Sequence, residues 1–330
     1  MNGQRNFRER TIVRGLVQTV MLVFLVAAFQ MASGPAIAGD DACSETSLYA
    51  QKACYNSANE AYNLALGKCE NIAENKQDAC EAKANADKQS ALAECREQFA
   101  ARQEVCKELG GGPYDPTIKA SDFRSNPTGN TYFPLTPATY TFKSYAPDGT
   151  VTEKNIVKVT SLTRKILGVT CRVVRDTVMD EDGNVTEDTT DWYAQNKDGN
   201  VWYFGEIAQQ FEDGILVGID GSWTAGVEGA KPGIIMYANP QGGITYRQEF
   251  LLGEAEDVAT VVGLDTLPAL PPGVKFPSGV HGPFLHTQDF SALEPGVVED
   301  KYYAPGVGVV LIVPQDGTGT KEVLVRITRP

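Results

Sequence analysis

The chain is poor in the residues and patterns on which common enzyme chemistry depends. Among its 330 residues there are only two histidines, His281 and His286. GxSxG, HExxH, the phosphate-binding P-loop and the dinucleotide glycine fingerprint are all absent. A hydrolytic triad or a nucleotide-dependent enzyme therefore has no support, and no cofactor is expected. Positive charge is scarce: 29 Lys and Arg stand against 42 Asp and Glu, a formal net charge of −13. Such a surface repels nucleic acid and anionic membranes and mainly promotes solubility. Beyond residue 38 no apolar run is long enough to span a bilayer. Residues 39–109 contain no proline, which leaves a long stretch free to be helical.

The first 38 residues have a different character. Arg5, Arg8, Arg10 and Arg14 form a basic start, Leu16 to Phe29 is mostly apolar, and Ala36-Ile37-Ala38 supplies a small-x-small cleavage pattern. This reads as a secretory signal over 1–38, placing the mature protein in the periplasm or outside the cell. A retained membrane helix is the alternative, but the apolar run is short for it. No lipobox precedes Cys43.

Six of the seven cysteines lie at 43, 54, 69, 80, 95 and 106, with gaps that alternate between 11 and 15. The spacing is palindromic. It predicts an antiparallel helical hairpin over 39–109, stapled by Cys43–Cys106, Cys54–Cys95 and Cys69–Cys80 and turning near Glu74–Asn75. The same-face positions between them are small (Ser47, Ala50, Ala58, Ala61, Ala65, Ala84, Ala91), as close helix approach for a disulfide requires. Asp87, Phe99 and Arg102 interrupt this seam. Asp78-Ala79-Cys80-Glu81 resembles a capping box that would start the second helix, and Gly110 and Pro113 would stop it.

Two rivals fit less well. In one continuous helix the cysteine seam would drift about 180° between the outer cysteines, against about 80° over one arm of a hairpin. In a thiolate metal store, neighbouring ligands would lie about 16–22 Å apart along the axis, too far to share an ion. Oxidation in an exported protein suits disulfides, and no metal is expected.

Residues 110–138 open with Gly110-Gly111-Gly112-Pro113 and carry Pro116, Pro127, Pro134 and Pro137, which reads as an irregular linker. From 139 to 330 the pattern is β. Expected strands are Thr139–Tyr145, Thr150–Ser161, Ile166–Met179, Asn184–Gln195, Asn200–Ile207, Ile215–Ile219, Ile244–Leu252, Asp257–Leu264, Val297–Tyr303, Val307–Val313 and Lys321–Thr328. Asp-Gly at 148, 182, 198, 213, 220 and 316 marks tight turns. The fold class is α+β in segregated units: a stapled hairpin, then an antiparallel β meander forming a barrel or strongly curved sheet. Cys171, within the apolar Leu167–Val173, reads as a buried free thiol.

Candidate chemistry is sparse. Asp180–Asn184 and Asn196–Asn200 fail the ligand spacing of a calcium loop and read as turns. Trp192, Tyr193, Trp202, Tyr203 and Trp223 form the densest aromatic set, suited either to core packing or to stacking on a sugar or apolar ligand. Glu206 and Glu249 fall on expected strands and are candidate paired carboxylates for a glycosidase, although no spacing rule singles them out. His281 and His286 sit five apart in a Gly/Pro-rich loop without a second ligand cluster.

Several signatures of the β part resemble a family of secreted bacterial proteins of no known activity. They are Tyr132-Phe133-Pro134-Leu135, Asp191-Trp192-Tyr193-Ala194-Gln195, Asn200-Val201-Trp202-Tyr203-Phe204-Gly205-Glu206, Tyr246-Arg247-Gln248-Glu249 and Tyr302-Tyr303-Ala304-Pro305-Gly306-Val307-Gly308. The resemblance covers most of 123–328, implies no reaction, and leaves the cysteine hairpin as an added module. The reading is an exported binding or scaffolding protein, more a binder than an enzyme, with the hairpin as spacer or partner contact. The partner is a protein, a glycan or an apolar ligand. Alternatives are a carrier of an apolar ligand in a curved sheet and a carbohydrate-binding or carbohydrate-active protein.

Overall fold

Helix α1 (Ala42–Glu70) and helix α2 (Gln77–Leu109) are joined by a 3-10 turn at Glu74–Lys76. The computed structural model describes residues 41–330, so the expected signal segment 1–38 lies outside the described residues. Asp41 caps α1 by accepting the Ser44 N–H at 2.7 Å. Gly110 ends α2 at φ 85°, where its N–H bonds back to the Cys106 carbonyl; only glycine takes this left-handed backbone without strain. The expected capping box at 78–81 does not start α2. The helix begins at Gln77 behind Lys76 with no side-chain cap, because the 3-10 turn already delivers the chain into helical geometry.

The three disulfides join Cys43–Cys106, Cys54–Cys95 and Cys69–Cys80, with Cα separations of 5.6, 5.7 and 5.6 Å. Ser47, Ala50, Ala58 and Ala84 are buried between the helices, whereas Ala61 is exposed. Two of the seam's interruptions have a reason. Asp87 faces outward and takes the Lys83 ammonium at 2.7 Å one turn away. Arg102 faces the β-domain, where it is needed.

Fifteen strands follow: β1 (Ala138–Tyr145), β2 (Val151–Ile166), β3 (Val169–Asp180), β4 (Val185–Gln195), β5 (Val201–Glu212), β6 (Ile215–Gly218), β7 (Trp223–Thr224), β8 (Lys231–Met236), β9 (Thr245–Arg247), β10 (Glu249–Phe250), β11 (Asp257–Asp265), β12 (Phe284–Ser291), β13 (Val298–Ala304), β14 (Gly308–Pro314) and β15 (Lys321–Thr328). Their order in the sheet is β10-β8-β5-β4-β3-β2-β1-β15-β14-β13-β12-β11-β9, and β6 and β7 add to β5. Neighbours in the sheet are neighbours in sequence from β1 to β5 and from β11 to β15; the β1–β15, β5–β8, β8–β10 and β9–β11 joins skip elements, and pairing is antiparallel throughout. The two ends, β9 and β10, are separated only by Gln248. The sheet is therefore a nearly closed, barrel-like meander.

Three strands escape the sequence pattern: β7, β8 and β12. β8 contains Pro232 and Gly233, which ordinarily argue against a strand. Here a Cβ on Gly233 would sit 2.4 Å from the Gln248 carbonyl carbon, so only glycine lets the seam close. In β12, Leu285, His286 and Thr287 are all buried, so alternation is lost. The expected strand Ile166–Met179 is broken at Leu167-Gly168, whose φ values of 51° and 78° make a two-residue turn between β2 and β3. The expected strand Ile244–Leu252 is split at Gln248.

Of segment 110–138, expected as a linker, residues 110–137 form a strap packed on the barrel and Ala138 begins β1. Asn130 donates to the carbonyls of Gly199, Met236 and Tyr237, Tyr114 donates to the Pro232 carbonyl at 2.8 Å, and Leu135 is fully buried in the main core. Its prolines spare backbone N–H groups that a strap without ladder partners would leave unpaired. A second core gathers Phe123, Ile166, Val169, Cys171, Trp192 and Phe204. A third, of Val105, Val258 and Ala292, joins α2 to the barrel.

Candidate functional site

Directly paired residues share one face of a sheet, and the register brings an unusual set to the concave face. Asp191 pairs with Glu206, and Glu206 with Trp223. Asp176 pairs with Thr189 and Asp289 with Glu299. Glu322 lies beside Ser144. The interior thus carries a belt of carboxylates from β3, β4, β5, β10, β12, β13 and β15, with Lys301 as its cation. Lys301 bridges Asp289 at 3.1 Å and Glu299 at 3.3 Å.

Desolvation and mutual repulsion keep protons on part of this belt. Burial, with Asp191 alongside, pushes Glu206 up to about 9. Burial pushes Asp191 up to about 6, although the Tyr203 hydroxyl, donating to it at 2.6 Å, pulls the other way. Burial, with Glu299 nearby, lifts Glu322 to about 7. Burial also raises Glu249 well above the usual range, against the opposing Trp223 indole N–H, which donates to it at 2.6 Å. Burial works against the charge of Lys301, but Asp289 and Glu299 hold its pKa well above the ordinary value.

The structure brings five of the seven sequence candidates together here. Tyr193 stacks on Tyr203 at 4.7 Å, Tyr203 meets Trp223 edge-on at 5.3 Å, and Glu206 and Glu249 flank Trp223. Trp223 approaches so closely because residue 205 is glycine: a Cβ there would lie 2.3 Å from the Trp223 carbonyl oxygen. A small cavity of about 190 Å³ opens beside Glu206, Trp223 and Leu251. Trp192 is buried in the second core, to which Tyr203 and Trp223 also belong, with the Arg164 guanidinium 4.0 Å over its ring.

Trp202 packs against the same core but lines a different opening. Between the base of the hairpin and the barrel wall lies a cleft of about 480 Å³, within the usual range for small-molecule sites. Arg102 and Glu256 anchor it: Nε and Nη2 of Arg102 donate to both carboxylate oxygens at 2.8–3.2 Å, with both side chains buried. Lys231 donates to the Tyr114 carbonyl at 2.6 Å and pairs with Asp115 at 3.1 Å. Arg247, 9% exposed, lies 4.6 Å from the Phe250 ring and 5.6 Å from Tyr114. Burial lowers its pKa and Glu256 opposes this, but the group remains a cation. Arg247 has no hydrogen-bond partner among the described residues. Two further donors at the cleft, Trp202 Nε1 and Arg102 Nη1, are buried without partners.

Sequence reasoning saw Trp202 but missed the rest. The available signals were Arg102 breaking an alanine seam and the basic residue within Tyr246-Arg247-Gln248-Glu249. The remaining candidates are structural. His286 is on β12 rather than in a loop, stacked on Tyr302 at 4.4 Å with Nε2 2.9 Å from Asp300. His281 stays on the loop. No three His, Cys, Asp or Glu side chains converge for a metal among the described residues. Burial pushes the Cys171 thiol up to about 12.

No protein-family model and no curated protein matches the chain. Two solved structures are similar at low identity. One, from Bacteroides fragilis, is classed as exported with a YmcC-like fold; it is 15% identical, with a TM-score of 0.35 over 61% of this chain and 100% of that one. The other, from Parabacteroides distasonis, is classed as a lipoprotein; it is 9% identical, with a TM-score of 0.30 over 62% and 99%. Among the described residues no helix is long and apolar enough to cross a membrane.

Proposed function

We propose that this is an exported, non-catalytic binding protein whose ligand occupies the cleft between the hairpin and the barrel. The observation that carries this reading is Arg247, a cation only 9% exposed that has no hydrogen-bond partner among the described residues and lines a 480 Å³ cleft. Two units that were legible separately in the sequence jointly build that wall. The disulfides make the hairpin a stiff wall, and its distal half, where Leu64 and Ile72 are exposed, is available to a partner. A carrier holding an alkyl chain inside the barrel is disfavoured by the carboxylate belt, which would have to be desolvated against hydrocarbon.

The three tryptophans provide the test, because they differ in the opening they line: Trp202 lines the cleft, Trp223 the small cavity beside Glu206, and Trp192 neither. In indole NMR spectra of the mature chain titrated with small-molecule fragments, binders shift Trp202. Fragments that move only Trp223 would relocate the site to the interior, and no movement of any indole overturns the reading.

A second reading has one observation in its favour, a proton-retaining Glu206 at the edge of a 190 Å³ cavity, as a glycosidase acid requires. Undiminished glycoside turnover after Glu206→Gln and Glu249→Gln would eliminate those residues.

A further inference from the structure

The charges on the cleft wall do not cancel, and the remainder points to a ligand class. Arg102 is matched by Glu256 in a bidentate pair, and Lys231 by Asp115 and the Tyr114 carbonyl. Arg247 shares the Glu256 charge with Arg102 and has no hydrogen-bond partner among the described residues, so one positive charge is left over. The Arg247 guanidinium is held against the faces of Phe250 and Tyr114, which fixes its plane, and among the described residues nothing accepts from its five N–H donors. One unmatched cation in a buried place favours one negative charge; a dianion would bring an uncompensated second charge out of water. A guanidinium presented this way matches a carboxylate through two parallel hydrogen bonds. Trp202, with its indole N–H unpartnered, adds a ring face and a donor.

Resting on the cleft reading, we infer that the cleft binds a carboxylate monoanion attached to a ring or apolar body, with Arg247 as its recognition residue. The body contacts the aromatic wall and the carboxylate meets the fork of Arg247. A uronic acid and an aromatic or aliphatic acid share this chemistry, so both sources belong in the test.

Titration calorimetry on the full mature chain would use galacturonate, benzoate and decanoate, each beside its methyl ester, with Trp202 indole NMR run in parallel. At least one acid binds with its Trp202 shift, and its ester binds about tenfold to a hundredfold more weakly, the worth of charge-assisted hydrogen bonds. The acid that binds best identifies the body. Arg247→Met abolishes the difference between acid and ester, while Arg247→Lys, which keeps the charge but not the fork, retains part of it; far-UV circular dichroism and an unchanged Trp223 resonance certify the fold. Acid and ester binding equally, or discrimination surviving in Arg247→Met, overturns the carboxylate inference while leaving the cleft as a site. No saturable binding of any of the six compounds at millimolar concentration overturns it as well. A general fragment screen that leaves Trp202 unmoved brings down the cleft reading itself.

Discussion

Replacing Arg102 by Met tests whether the hairpin and the barrel form one working unit. Both side chains of the Arg102–Glu256 pair are nearly inaccessible, 6% and 2% exposed, and three short hydrogen bonds join them. Truncating Arg102 leaves the Glu256 carboxylate buried with the Gly253 N–H, at 2.7 Å, as its remaining hydrogen-bond donor and the Arg247 charge nearby. Removing one partner of such a pair costs about 3–5 kcal/mol. The double variant Arg102→Met/Glu256→Gln carries no orphan charge, and its amide oxygen still accepts from Gly253. It is therefore expected to lie at least about 2 kcal/mol closer to the parent than the two single costs added together.

The loss has a definite location. The rest of the docking includes Val105, Val258 and Ala292, with Ala101, Leu109 and Phe290 packed around them, and a bond from Gln98 to the Leu293 carbonyl at 3.0 Å. In Arg102→Met, α2 lifts from the barrel before the barrel unfolds. Native-state hydrogen exchange should show accelerated amides at 105–116 and 253–258, with β1–β4 unchanged, and urea titration gives the totals. Single variants within about 1 kcal/mol of the parent, with additive effects, would refute the argument.

Three further outcomes follow from the geometry. The belt carboxylates have folded pKa values raised above their unfolded ones, so their neutral forms are favoured on folding; the stability they contribute is full below about pH 4 and is lost as pH rises through about 6, 7 and 9. Urea midpoints should therefore fall from pH 5 to pH 9, Glu206→Gln should flatten the upper part, and a rising profile would contradict the assignment. Because the disulfides are nested, opening Cys43–Cys106 with Cys54–Cys95 intact releases only the outer arms. Its double alanine variant should cost about 3 kcal/mol, less than the roughly 4 kcal/mol expected for an isolated loop of that span; non-reduced mass and urea titration check both pairing and cost. Cys171 is fully buried, so a thiol reagent should titrate no sulfhydryl in the native protein and one after unreduced unfolding.

The legible parts of the fold were those set by local chemistry. The cysteine spacing sufficed for the hairpin because disulfide geometry leaves little freedom once six positions are symmetric. Asp-Gly turns separated most strands because positive φ is readily tolerated there. Leu167-Gly168 makes the same kind of turn with a leucine at φ 51°, which propensity disfavours, so two strands ran together on paper. Proline and glycine concealed β8 for a related reason: both are tolerated because strap and seam close against it, a tertiary fact. The linker reading of 110–138 shows the same limit, since proline content reports the lack of ladder bonds and not whether the segment is packed.

The cleft illustrates why the site was harder to read than the fold. Period-2 alternation across 244–252 indicates a strand, but not that the strand leaves one edge of the sheet at Arg247 and joins the other at Glu249. That step places neighbouring residues in opposite electrostatic settings. Arg247 faces the cleft beside Glu256, Gln248 reaches the interior and donates to Asp289 at 3.0 Å, and Glu249 takes the Trp223 indole. An acidic interior and a cationic cleft are thus separated by the thickness of one short strand. The backbone break at Gln248 keeps the Arg247 guanidinium out of reach of the belt that would otherwise neutralise it. Restoring a continuous strand there would turn residues 249 and 250 over with respect to the barrel. The charge left available in the cleft is therefore a consequence of how the barrel closes, and it becomes visible only once both edges of the sheet are located.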